Sequence, residues 1–405
     1  MEQAGNPVHA TFDNQKIRHI PLVERTKMKK RKLALYIALA GVVSTPVTAQ
    51  KVEVPDLDLR VYGHINMAVM HADTGNGSEQ YIVDNDYASS RVGGVISTNL
   101  EEIDLTVGAH IEFEYQHNPS NLVTPDNRTI KGSFDERHLN LFAAGRLGRA
   151  SIGQGHGAAD DSTEMDLSGT KVASFPDLAL VGGALPFVDK SGDATTGPTL
   201  FQSIRNQDFD ARYDRFRYDS PDLGPVSLAV SQGYKNDMDI TEVSAAYNEA
   251  IEGLGRLSAA IGYSTKDVGG SAGDVDTLGG SVSWLHGTGI NMTVVYSNIG
   301  NDAGRDSDFN MFKVGYKAGR HSFTIHRAQG KDFNPVIVTP PAEEGQPDTR
   351  FTVAGSDAEV YGLAYVYRPI KRLDVYAAFN NFSLESDVGS YDDVNIAMVG
   401  SRLRF

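Results

Sequence analysis

Asp393-Val-Asn-Ile-Ala-Met-Val-Gly-Ser-Arg-Leu-Arg-Phe405 alternates from residue to residue. Ala397, Val399, Ser401, Leu403 and Phe405 share one side, and Asn395 extends that side toward the preceding loop. Arg402 and Arg404 lie on the other side with Ile396, Met398 and Gly400. Side chains of a strand point alternately to its two faces, so a period of two predicts a strand. A soluble sheet has little reason to close a strand on an exposed Phe. A barrel strand crossing a bilayer does, because aromatic rings belong at the lipid interface and polar groups belong in the lumen.

The same unit recurs from Leu57 to Phe405. In Ile103–Gln116, Ile103, Leu105, Val107, Ala109, Ile111, Phe113 and Tyr115 face one way. Asp104, Thr106, Gly108, His110, Glu112, Glu114 and Gln116 face the other. Fourteen residues of strict alternation exceed the usual soluble strand of about 5–6 residues. Leu257, Ala259, Ile261 and Tyr263 repeat the pattern opposite Arg256, Ser258, Gly262 and Ser264, as do Leu373, Val375, Ala377 and Phe379 opposite Asp374, Tyr376 and Asn380. About sixteen such segments begin near residues 57, 89, 103, 136, 148, 209, 226, 240, 255, 276, 290, 307, 320, 357, 372 and 393. Short connections such as His286–Gly289 and Arg368–Lys371 alternate with long ones such as 72–88, 118–135, 157–208 and 330–356; the short 234–240 is the exception. This sorting predicts an all-β transmembrane antiparallel barrel with short periplasmic turns and longer external loops.

Met28-Lys-Lys-Arg-Lys is a positively charged start, Leu33–Val43 an apolar run, and Val47-Thr-Ala49 a small-residue cleavage pattern. Residues 28–49 therefore read as a secretory signal peptide, and the apolar run is shorter than the roughly 20 residues of a spanning helix. Residues 1–27 show no periodicity and read as a mis-called N-terminal extension, leaving 50–405 as the barrel. The mean hydropathy of −0.30 does not exclude a barrel, whose alternation hides the apolar face from averaging. There is no cysteine, hence no disulfide framework. Residues 1–50 hold eight Lys/Arg and three Asp/Glu, which leaves 29 basic against 49 acidic groups and a net charge near −20. Nucleic acid is not the partner of so acidic a chain. The same acidity predicts a mild cation preference for any channel.

No catalytic constellation is present: no G-x-S-x-G, no H-E-x-x-H, no thiol. No cofactor or metal is expected, because Asp237-Met-Asp239 and Asp274-Val-Asp276 do not complete a calcium-liganding loop. The distinctive element is the connection 157–208. It opens with Asp160, Asp161, Glu164 and Asp166, then turns apolar through Phe175–Gly183 and Leu185-Pro-Phe187. An external loop in water would not carry so much apolar residue, whereas one packed on the inner wall of the barrel would.

The terminal Phe405, the Leu59-Arg-Val-Tyr-Gly-His64 opening and the Ala211–Gly224 segment resemble Gram-negative outer-membrane general diffusion porins over residues 57–405. The Pro-Glu-Phe-Gly-Gly tip of enterobacterial members is absent. The resemblance implies a sixteen-stranded homotrimeric barrel in the outer membrane, in contact with lipid and lipopolysaccharide, whose Phe405 the barrel-assembly machinery reads. It implies passive diffusion of small hydrophilic solutes and ions past a third external loop folded into the lumen. There the acidic run would face basic wall residues, for which inward parity offers His64, Arg91, His110, Arg137, Arg215 and Arg217. The alternatives are a channel specific for one nutrient class and, further off, a barrel adhesin or enzyme. The signal reading makes Gln50 the mature N-terminus. Intact mass of outer-membrane protein should lack residues 1–49, and recovery of the full chain there would overturn that reading.

Overall fold

The computed structural model describes residues 57–190, 197–206, 209–268, 274–301, 306–333, 336–339, 349–352, 356–387 and 389–405. The signal segment 28–49 and residues 1–27 lie outside them. One closed antiparallel sheet contains eighteen strands. Two are short accessory strands, Ser78–Asp84 and Gly389–Ser390, so sixteen form the barrel wall. In chain order they are β1 Asp58–Asp73, β2 Arg91–Leu100, β3 Leu105–Gln116, β4 Ser133–Gly145, β5 Gly148–His156, β6 Arg212–Asp219, β7 Val226–Lys235 and β8 Met238–Ile251. They continue as β9 Gly255–Asp267, β10 Asp274–Leu285, β11 Ile290–Asn301, β12 Ser307–Ala318, β13 His321–Lys331, β14 Asp357–Ile370, β15 Leu373–Ser386 and β16 Val394–Arg404.

Each strand pairs with its sequence neighbour, and β16 closes the ring on β1, from His64↔Arg404 to Asp73↔Asn395. On its other edge β1 is shared. Its first half pairs with β2 (Asp58↔Ser97 to His64↔Arg91), and its second half with the accessory strand (Met67↔Asp84 to Asp73↔Ser78). The external connection between β7 and β8 is a two-residue turn, with Asn236 and Asp237 both at positive φ (51° and 62°). Asn and Asp are the non-glycine residues that best tolerate this, which is why this loop alone could be so short.

Alternation sets the two faces. Leu139, Leu141, Ile152, Ile261, Val294, Ile325 and Leu363 are exposed on the outside of the isolated barrel, where lipid would cover them. On the opposite parity, Ser231, Ser281, Ser283, Thr293, Ser297 and Thr324 are buried inside. Val399, Leu403 and Phe405 are outward, and Arg402 lies on the inner side against Asp374, as the period of two predicts. The Phe405 amide donates to the Gly63 carbonyl at 3.0 Å, and the Gly63 amide donates to the Phe405 carbonyl at 3.2 Å. A Cβ on Gly63 would come within 2.6 Å of Phe405 Cζ, so glycine is what lets the ring lie flat on β1. Deleting Phe405 removes both bonds and the interfacial ring at the seam. We expect a severalfold fall in folded protein in the outer membrane at unchanged synthesis, measured by membrane fractionation and heat-modifiable gel mobility. Normal assembly of the truncated chain would overturn this role.

Candidate functional site

The connection after β5 leaves the wall at Gly157 and runs against inward-facing side chains of successive strands. The Ala158 amide donates to Ser231 Oγ (2.7 Å) on β7, and the Ala159 amide to Glu242 Oε2 (2.9 Å) on β8. The amides of Met165 and Leu167 donate to Ser281 Oγ and Ser283 Oγ on β10, each at 2.8 Å. Thr170 reaches Thr324 on β13 at 3.0 Å. The segment then meets the first external connection: Asn85 Nδ2 donates to the Val172 carbonyl (2.9 Å) and Tyr87 Oη to the Leu178 carbonyl (3.0 Å). Small hydroxyl residues on the wall thus satisfy loop amides that water would otherwise have to reach. Phe175, Leu178, Leu180, Leu185 and Phe187 join one apolar cluster with Met70, Phe309, Met311, Val360, Phe382 and Met398 of the inner wall. The apolar character of this loop is the signal that predicted such packing.

The four loop carboxylates are each engaged. Asp160 pairs with His156. Glu164 accepts from Lys171 Nζ at 2.9 Å, and Asp166 from Lys313 Nζ of β12 at 2.8 Å. Asp161 sits at φ 67° and lies within electrostatic reach of Lys171 and Arg217. Burial alone would raise the Asp166 pKa, but the Lys313 ammonium and Ser168 outweigh it and hold the carboxyl below its ordinary value. Burial likewise opposes charge on Lys171, yet Glu164 and Asp161 raise its pKa. Both loop groups therefore keep their charge through neutral pH.

The wall residues divide into two groups. In one, Arg137 Nε donates to Glu112 Oε1 and its Nη1 to Glu114 Oε2, both at 2.6 Å, while Arg91 Nη1 lies 3.7 Å from Glu112 Oε1. His64 contacts the Ala88 carbonyl at 3.1 Å. His110 meets Tyr62 Oη at 2.5 Å and stacks on His138 with centroids 4.3 Å apart; His138 in turn lies 4.6 Å from His156. Next to them, the root of the loop is held by arginine. Arg215 donates to the carbonyls of His156 (2.9 Å) and Gly153 (2.8 Å), and Arg217 to that of Gly157 (2.5 Å) and to Asp219 (2.8 Å). Of the predicted cations, Arg217 lies within electrostatic reach of Asp160 and Asp161, whereas Arg91 and Arg137 face carboxylates of the wall itself.

Sequence reasoning missed Glu112 and Glu114 as partners, although parity had put both inside. It also missed His138. The β3–β4 register slips between Glu112↔His138 and Phe113↔Glu136, so Arg137 is an extra, bulged residue and both Arg137 and His138 turn inward. Strict parity cannot foresee that. Lys313 was legible in principle, since it alternates with the outward Phe312.

A Gram-negative porin model matches residues 34–387. The chain belongs to the Gram-negative porin family. Its barrel is similar in fold to the anion-selective porin from Comamonas acidovorans, at TM-score 0.57 and 16% identity, over 86% of this chain and 100% of that one. It is similar also to the trimer form of OmpT, an outer membrane protein of Vibrio cholerae, at TM-score 0.54 and 16% identity, over 87% and 100%. Among curated proteins no sequence matches the chain. This porin is thus a multi-pass β-barrel of the outer membrane, a channel for passive diffusion.

The Asp166–Lys313 pair is almost wholly buried, with side-chain exposures of 0% and 1%. Removing one partner of such a pair leaves an uncompensated charge, at a cost of about 3–5 kcal/mol. Lys313→Met should therefore lower the unfolding temperature of the porin and raise open-channel noise. Adding Asp166→Asn should restore much of both, read by thermal unfolding and single-channel recording. No difference between the single and double variants would overturn the coupling.

Proposed function

We propose that residues 157–190 form the constriction of this porin, folded into the lumen as its third external loop, and that small hydrophilic solutes and ions pass between this segment and the basic wall. The ladder of bonds from Ser231 round to Thr324 carries the reading, because it ties the segment to inward-facing side chains of the wall. Charge in a narrow aqueous passage is poorly screened, so lining groups there govern selectivity together with width. In this reading His64, Arg91, His110, Arg137, Arg215 and Arg217 lie on the basic side and Asp160, Asp161, Glu164 and Asp166 on the acidic one, with Arg215 and Arg217 at the root of the segment and Asp166 held by Lys313. The working unit is a homotrimer, a state supported by the trimer form of the Vibrio cholerae relative. Its lipid-facing band meets outer-membrane lipid and lipopolysaccharide, the assembly machinery reads Phe405, and export follows cleavage after Ala49.

Planar-bilayer recording tests this. The wild type should give large, ungated steps. Asp160→Asn, Asp161→Asn and Glu164→Gln together should shift the reversal potential in a salt gradient toward anions, and Arg91→Gln with Arg215→Gln should shift it toward cations. Glu343→Gln with Glu344→Gln, in the 330–356 connection, should matter far less. If only this last pair moves the potential, residues 157–190 are not the constriction.

A further inference from the structure

The inward face at the periplasmic end carries a concentration of positive charge that the overall acidity of the chain conceals. Arg256 opens β9 and Lys317 ends β12; Arg368, Arg402 and Arg404 follow on β14 and β16. Neighbouring members lie within electrostatic reach of one another: Lys317 of Arg256 and Arg368, and Arg404 of Arg368 and Arg402. Asp374 is the carboxylate set among them, with oxygens 2.6 Å from Arg368, 2.8 Å from Arg402 and 3.2 Å from Arg404. One carboxylate does not neutralise three guanidinium groups. The other acid within reach of Lys317 is Asp166, which Lys313 already holds. The Lys317 ammonium itself has no hydrogen-bonded or ion-paired partner among the described residues.

Between the turns that join β8–β9, β10–β11 and β12–β13 lies an open depression of about 540 Å³. Arg256, His286, Thr288, Tyr316 and Lys317 supply its polar lining, and no carboxylate is among its lining residues. The turns that wall it are tied together. The Lys317 amide donates to the Gly289 carbonyl and the His286 amide to that of Ile290, each at 2.8 Å, and Trp284 Nε1 donates to the Leu254 carbonyl at 2.7 Å. Gly255 (φ 100°) and Gly289 (φ 97°) make that close approach possible, since a Cβ on either would fall within 2.3 Å of a neighbouring carbonyl oxygen. A preformed concavity with cationic and hydrogen-bonding groups suits a compact oxyanion.

We propose that this depression is a binding site for small oxyanions, inorganic phosphate or a short carboxylate, with Arg256 and Lys317 as its recognition residues, and that the periplasmic mouth gives the porin an anion preference. The inference rests on the channel reading, and it departs from the cation preference that net charge alone predicts. Charge on external loops acts over a Debye length, about 8 Å at physiological salt, whereas the mouth charges line the path itself. Wild-type porin in a potassium chloride gradient at low salt should favour chloride, and phosphate added on the periplasmic side should reduce the chloride current more than phosphate added outside. Arg256→Gln with Lys317→Gln should lower the chloride-to-potassium permeability ratio by at least about twofold and abolish the phosphate asymmetry. Removing the same charge from the external side, by Arg128→Gln with Lys131→Gln, should do neither, and heat-modifiable mobility should confirm folding of both variants. Cation preference in the wild type, or a ratio and phosphate response unchanged by the Arg256/Lys317 substitutions, would overturn the proposal. Absence of conductance from correctly folded wild type would instead overturn the channel reading.

Discussion

A bilayer core offers no water to an unpaired peptide group, and each one left there costs several kcal/mol. The pairing of Asp58–Asp73 with Val394–Arg404 answers this constraint, because it removes the last two free edges of the sheet. Everything else in the molecule follows from that closure. It defines an inside and an outside, gives the period of two its meaning, and sorts short turns to one rim and long connections to the other. It also explains the seam at Phe405, where the final amide and carbonyl find partners on Gly63 and the ring caps the junction at the lipid interface.

The space inside the ring is not simply a water-filled tube lined by polar side chains. Part of it is packed like a protein core, with Phe175, Leu178 and Phe187 of one connection against Phe309, Phe382 and Met398 of the wall. Several charges inside the ring are matched by opposite ones: Asp166 with Lys313, Glu164 with Lys171, and Arg137 with both Glu112 and Glu114. Such pairs add little net stability, since desolvation offsets attraction, but losing one partner is costly. Their effect is positional. Lys313 gives Asp166 a single favourable seat on the wall, and Arg215 and Arg217 grip the carbonyls where the loop leaves β5. A connection held in this way keeps a fixed position against the wall.

Charge is unevenly distributed along the channel axis. Much of the acidic excess of the chain falls in connections, whereas Arg256, Lys317, Arg368, Arg402 and Arg404 project inward near the periplasmic rim. Net charge sums both and describes neither. For a pore, the relevant quantity is the charge that faces the path, and strand parity together with closure decides which residues those are.

The sequence by itself determined the repeating unit, because alternation is local: Ile103–Gln116 or Asp393–Phe405 shows its two faces without reference to any other segment. By parity it offered Arg91, Arg137 and Arg215 as inward candidates, and the apolar stretch from Phe175 to Phe187 set one connection apart from the others. Only the tertiary structure decided who meets whom. Lys313 and Asp166 lie 147 residues apart, and nothing local to either names the other. The bulge that turns both Arg137 and His138 inward breaks the parity on which sequence reading relies, so the Glu112–Arg137–Glu114 group emerged from register rather than from pattern. Periodicity fixes the direction of a side chain because it depends on the backbone of one strand. The partner of that side chain depends on closure and on the stagger of strands distant in the chain, which sequence spacing does not encode.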